Sequence, residues 1–124
     1  MSTAIVGARG EAKVISELTN RGWGVGKPLL DLGIDLLAYK IENHSVRLVA
    51  IQVKTLATSS HDNNRRYGAQ FDAEHIIDGI FYIIVCLDIS EYVIIPSVEI
   101  RRKHHWHQDH AEWQRFKNRW ELIA

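Results

Sequence analysis

A chain of 124 residues, 46% hydrophobic and 24% charged, carries enough apolar material for one soluble globular domain, taken here as residues 1–124. Fifteen basic and fifteen acidic side chains leave no net charge, which excludes a global field for a polyanionic partner but leaves room for a local basic patch. The single Cys86 excludes an internal disulfide framework, and neither a basic-then-apolar leader nor a bilayer-length apolar run is present, so the expectation is a cytoplasmic protein without a membrane partner.

Ser2 to Arg21 reads as a helix, because Ala4, Ile5, Ala8, Ala12, Val14, Ile15 and Leu18 recur at helical spacing. Gly7 and Gly10 weaken its first half, so its secure part is expected from about Arg9, and Gly22 offers a left-handed stop. Glu11 lies one turn before Ile15, on or beside the buried stripe; a solvated helix face is the plainer home for such a residue. Trp23–Lys27 reads as a short strand ended by Pro28, and Leu29–Gly33 is a connection containing Asp31.

Two β-rich runs, Ile34–Ile41 and Val46–Thr55, flank the polar stretch Glu42-Asn43-His44-Ser45 and predict an antiparallel hairpin. With a four-residue loop and Ile41 opposite Val46, Tyr39 faces Leu48, Leu37 faces Ala50 and Asp35 faces Gln52. Alternation then puts Asp35, Leu37, Tyr39, Leu48, Ala50, Gln52 and Lys54 on one face, apolar near the turn and polar at its open end.

Beyond the hairpin, Ala57–Arg66 is a polar surface loop and Phe71–Asp78 is expected to include a short helix that crosses the sheet. The apolar run Ile80–Asp88 predicts a strand covered on both faces, with Cys86 packed inside it. Glu91–Ile95 is a further strand ended by Pro96, after which Ser97 reads as the N-cap of a helical turn through Arg102. Asp109 reads as the cap of a last helix, Asp109–Asn118, with Trp113 and Phe116 inward, while Trp120, Leu122 and Ile123 hold the tail. The order of elements is that of an α/β protein, in which the strand after the crossover runs parallel to the Gln52 strand.

A hard divalent cation takes oxygen ligands and keeps several waters, so one or two carboxylates plus an amide oxygen suffice to hold it. Asp35 and Gln52 offer such oxygens, Glu11 adds a second carboxylate if its helix packs at the open end of the hairpin, and Lys54 supplies a positive charge for a phosphate or a developing anion. The competing reading is an ordinary polar pair on a sheet edge, with Lys54 reaching to water.

Asp35 followed after a hairpin by Gln52-Val53-Lys54, with Gly10-Glu11 in a preceding helix, resembles the PD-(D/E)XK nuclease superfamily. More narrowly, Gly33-Ile34-Asp35 with a Gln-x-Lys strand is similar to the Mrr-like restriction endonucleases and to small homing-endonuclease and Holliday-junction-resolvase relatives, from Gly7 to about Leu87. The resemblance implies a restriction-endonuclease-like mixed sheet core, helix-strand-strand-strand-helix-strand, here extended by a strand and a C-terminal helix. It implies Mg2+ (or Mn2+) held by Glu11, Asp35 and Gln52, with Lys54 as the catalytic lysine, and water attacking a DNA phosphodiester. Ile34 stands where the family name has proline, and Gln52 stands in place of an acid, which removes one negative charge. Asp31 is a further candidate acid, although a loop aspartate is more often a turn former.

Two basic stretches are candidates for tracking a DNA backbone: Arg65-Arg66 beside Tyr67, and Arg101-Arg102-Lys103 with Arg115, Lys117 and Arg119. The run His104-His105-Trp106-His107-Gln108-Asp109-His110 suggests zinc, but without cysteines or an HExxH pattern a solvated helix edge is preferred. If Tyr92–Ile95 is an edge strand, a second copy can pair with it, and a homodimer would bring two sites to the two strands of a duplex. The alternative to an endonuclease is a module of the same fold that binds nucleic acid or protein without cutting; a plain interaction domain leaves Asp35, Gln52 and Lys54 without a role.

Overall fold

The computed structural model describes residues 2–57 and 66–123. A five-stranded sheet runs in the order β1-β2-β3-β5-β6, from β1 (Gly24–Gly26), β2 (Leu36–Glu42), β3 (Ser45–Leu56), β5 (Phe81–Cys86) and β6 (Glu91–Pro96). Helix α1 (Thr3–Asn20) lies on one face. Helices α2 (Ser97–Arg102) and α3 (Ala111–Phe116), with a two-stranded sheet of β4 (Gly68–Gln70) and β7 (His105–His107), cover the other.

The side of α1 that carries Val14 and Leu18 packs on Leu36, Ala38, Ile51, Ile83 and Val85, and Trp120 and Ile123 of the tail close the same core. The opposite core gathers Tyr82, Ile84, Val93, Ile95, Trp106, Trp113 and Phe116. A strand between two cores has no solvated face, which is why β5 reads as an unbroken apolar run. It pairs parallel to β3, with Gln52 opposite Tyr82 and Lys54 opposite Ile84.

Helix α1 begins at Thr3, well before Arg9, because Ser2 Oγ accepts from Ile5 N–H at 3.2 Å and the packing of its later turns outweighs two glycines. The hairpin register has Ile41 opposite Val46 and Leu37 opposite Ala50, as expected, but its turn is tighter. Glu42 and Ser45 still pair, and Asn43 and His44 alone turn the chain with φ of 51° and 64°. Those positive angles match the twist of a two-residue hairpin.

Four expectations need correction. Among the described residues of the crossover, the stretch expected to hold a short helix forms only a 3-10 turn, Ala73–His75, capped by Asp72. Ser97 opens α2 without capping it; its hydroxyl accepts from Gly79 N–H at 2.9 Å, and Pro96 holds the cap position. The last helix is shorter than expected, with His110 at its cap position and Asp109 paired to Arg66 instead. The histidine run forms β7 and not a helix edge, because Trp106 is fully buried and alternation throws His105 and His107 outward together. Among the described residues no helix is long and apolar enough to cross a membrane.

Candidate active site

Strand β2 begins at Leu36, so Asp35 stands at the point where the chain leaves the ladder. Its N–H donates to Ile51 O at 2.9 Å, and its Oδ2 accepts from Val53 N–H at 2.7 Å. The carboxylate thus takes the place of the strand carbonyl that β3 has lost at that position. Half-burial raises the Asp35 pKa above the usual carboxylate range; the Val53 bond opposes that, Glu11 and Asp31 add to it, and Lys27 lowers it again.

Helix α1 brings Glu11 to the same end of the sheet. It approaches β3 closely at Gly10, where an added Cβ would stand 1.9 Å from Thr55 Oγ1. Glu11, Lys27, Asp31 and Asp35 line a cavity of about 190 Å3. Lys27 Nζ lies 2.7 Å from Glu11 Oε1, and the Lys27 pKa is raised by its hydrogen bond to Glu11 and by that carboxylate's charge. Asp31 Oδ1 accepts from Gly33 N–H at 3.3 Å, the turn-forming role ascribed to it, and it also faces this cavity.

Gln52 and Lys54 project from β3 into an adjoining cavity of about 250 Å3, shared with Gln70, Phe71, Asp72, His75 and Tyr82. Val53 stands between the two cavities, lining the second while its N–H holds Asp35 at the first. Glu11 and Asp35 therefore share one hollow, Gln52 and Lys54 the next, and a single backbone hydrogen bond joins them. Lys54 is exposed and makes no ion pair among the described residues.

The chain places its own cation, Lys27, against these carboxylates, and the Asp35 carboxyl is still held above its usual range. That donor set fits a hard divalent cation. Glu11 and Asp35 would hold it in the first hollow, while Gln52 lines the next one. Among the described residues no three His, Cys, Asp or Glu side chains form a closed cage, so two carboxylates plus water is the arrangement available.

Of the basic residues singled out, Arg65 lies outside the described residues. Arg66 pairs with Asp109 at 3.4 Å, Arg101 with Asp78 at 2.8 Å, Arg102 with Glu99 at 2.6 Å and Lys117 with Glu91 at 3.4 Å. Arg119 pairs with Glu121. Lys103, half-buried after α2, makes no ion pair among the described residues. His105, His107 and His110 do meet, with ring centroids 5.3 to 6.4 Å apart, but His107 Nδ1 accepts from Asp109 N–H and the three form no metal cage.

No protein-family model matches this chain, and neither does any curated protein. Solved structures do. A bacterial homing endonuclease, I-Ssp6803I, superposes with a TM-score of 0.78 at 20% identity, covering 99% of this chain and 93% of that one. Hjc, a Holliday junction resolvase from the archaeal hyperthermophile Archaeoglobus fulgidus, superposes with a TM-score of 0.61 at 14% identity, covering 94% of each chain. The fold is restriction-endonuclease-like. In that frame Asp35 stands where the first hairpin strand begins and Gln52 and Lys54 stand on the second.

Lys27, Gln70, Asp72 and His75 belong to the two cavities and escaped the sequence reading. No spacing rule connects Lys27 to Glu11, which meet as an ion pair, or His75 to Lys54, which line one cavity, since the packing of separate elements brings each pair together. Asp72 and His75 fall in the stretch expected to include a short crossover helix, and nothing in it pointed to a site.

Proposed function

We propose that this protein is a metal-dependent DNA endonuclease that hydrolyses phosphodiester bonds, acting as one cytoplasmic domain with Mg2+ or Mn2+. The observation that carries this is the pairing of two hollows across Val53, one lined by Glu11, Asp31 and Asp35 with Lys27, the other by Gln52 and Lys54 with Asp72 and His75. The names of its structural neighbours, a homing endonuclease and a Holliday junction resolvase, support DNA as the substrate.

In this reading Glu11 and Asp35, with Gln52, hold the divalent ion. When bound, such an ion supplies positive charge to a phosphate and acidifies water. Lys54 places an ammonium in the next hollow, where it donates to a non-bridging phosphate oxygen and offsets the charge that grows there as the phosphorus accepts a fifth oxygen. Gln52, neutral where an acid would add charge, lets a polyanion approach with less repulsion but leaves metal affinity to two carboxylates. Lys103 and Arg66, with Arg65, would contact the backbone without reading sequence. One observation favours the non-cutting alternative: Lys27 already neutralises Glu11.

The test is nicking of supercoiled plasmid in Mg2+ or Mn2+ by the wild type, Lys54→Ala and Asp35→Ala. Each substitution is expected to slow cleavage by about 100-fold or more, the usual cost of losing one charge-stabilising group. Cleavage that survives both substitutions discards the assigned site. Binding of the plasmid without cleavage under any metal establishes the alternative.

A further inference from the structure

The hollow that holds Gln52 and Lys54 has a second wall, formed by Asp72, His75 and Ile76, for which the reaction above assigns no work. This wall is fixed at both ends. Phe71 N–H donates to His104 O at 2.8 Å, and the Phe71 ring meets Tyr82 edge-on at 5.4 Å. At the other end Ile77 N–H donates to the Tyr82 hydroxyl at 2.9 Å. Tyr82 is the register partner of Gln52, so the turn is tied to the strand that carries the site.

Inside that frame Asp72 uses both carboxylate oxygens. Oδ1 accepts from Glu74 N–H at 3.0 Å, and Oδ2 lies 2.8 Å from His75 Nδ1. A carboxylate on Nδ1 requires that nitrogen to keep its hydrogen, which leaves Nε2 as the atom whose proton comes and goes. The imidazole and Lys54 line one hollow, so a ring with its Nδ1 engaged by Asp72 stands on the wall of the hollow that would receive a phosphate at the ammonium.

We propose that His75 is the proton donor to the leaving oxygen, with Asp72 as the residue that positions it; this rests on the endonuclease reading. Hydrolysis forms one bond from phosphorus to a water oxygen and breaks one from phosphorus to the bridging oxygen. The electron pair of the broken bond stays on the bridging oxygen and takes the proton from His75 Nε2. The attacking water yields its proton to solvent, and solvent returns one to the imidazole. No oxidant or further reactant enters. An alkoxide is a poor leaving group, and a positioned acid is worth about 100-fold to 10,000-fold at such a step.

The experiment replaces the leaving bridging oxygen by sulfur at one cleavage point, mapped beforehand with the wild type. A thiolate leaves without protonation, so it does not need the donor. His75→Ala is expected to slow cleavage of the ordinary linkage by about 100-fold or more, and of the sulfur linkage by no more than a few-fold. Asp72→Asn shows the same pattern with a smaller loss. Both variants are expected to bind DNA in calcium within a few-fold of the wild type, and His75, with 78% of its side chain exposed, lies outside the core. Equal slowing on both linkages, or no slowing on the ordinary one, overturns the assignment while leaving the nuclease in place. A wild type that cuts neither linkage overturns the endonuclease reading and this inference with it.

Discussion

Replacing Gly10 by alanine tests how Glu11 reaches the sheet. A glycine inside an 18-residue helix costs about 1 kcal/mol against alanine, so on propensity alone the substitution should stabilise. The packing says otherwise: the new methyl would stand 1.9 Å from Thr55 Oγ1, 2.6 Å from its Cγ2 and 2.7 Å from its Cβ. Carbon atoms rest about 3.5–4.0 Å apart, so α1 and β3 must separate by about 1 Å. Rotating Thr55 does not help, because its Cβ is itself in the way. Overpacking of this kind costs about 1–3 kcal/mol, and the blocked Cβ puts this site in the upper part of that range. Less the propensity gain, we predict a net loss of about 1–2 kcal/mol. For a chain of this size that is a fall in Tm of roughly 3–10 °C.

The same displacement carries Glu11 away from Asp35. A misplacement of about 1 Å in a catalytic group is worth about 100-fold in rate, so nicking should fall far more than stability at 25 °C. Thermal and urea unfolding of Gly10→Ala, Thr55→Gly and the double variant measure the coupling directly. The double variant should be more stable than the sum of the single losses by about 1 kcal/mol or more. A Gly10→Ala protein as stable as the wild type, or a cycle without coupling, refutes the close approach as the reason for the glycine.

Three further outcomes are expected. In metal-free protein the raised Asp35 pKa makes its ionisation a cost to folding, absent below the ordinary carboxylate range and growing as pH rises through the folded value. Asp35→Asn keeps an acceptor for Val53 N–H and removes that cost, so its Tm in EDTA at pH 7–8 should exceed the wild type's, and magnesium should no longer raise it; a lower Tm contradicts the burial argument. Lys27→Met removes the ammonium that competes for Glu11, so half-maximal nicking should need several-fold less magnesium, and an increased requirement would show that Lys27 helps hold the site. A homodimer is also proposed, but not by strand pairing along β6, whose edge is partly taken where Val93 bridges Lys117 and Tyr92 O accepts from Asn118 N–H. The hairpin instead exposes Ile41, Val46 and Leu48 at 72%, 69% and 61%, while its cations Lys40 and Arg47 turn to the other face over Trp23. An uncharged apolar face of this kind suits a second copy of itself, so sedimentation should give a dimer for the wild type and a monomer for Leu48→Lys; a wild-type monomer at tens of micromolar removes the proposal.

What could be read from the chain alone is what local pattern controls. Alternation and turn composition specified the hairpin and its register, the unbroken apolar run specified a doubly covered central strand, and helical spacing specified α1. Those constraints act between residues a few positions apart, or across one tight turn, so they leave their mark on the order of residues. The strands β4 and β7 left no such mark: three residues each, they exist because Trp106 needs a buried place and Gly68–Gln70 lies beside it. The split of the four site groups between two hollows was likewise decided in space. Asp35 leaves the ladder because its carboxylate takes the Val53 N–H, and Lys27 reaches Glu11 because α1 and the end of β1 are packed onto the same sheet edge. Only the assembled packing holds that information, since those distances are set by side-chain volumes on both sides of the sheet.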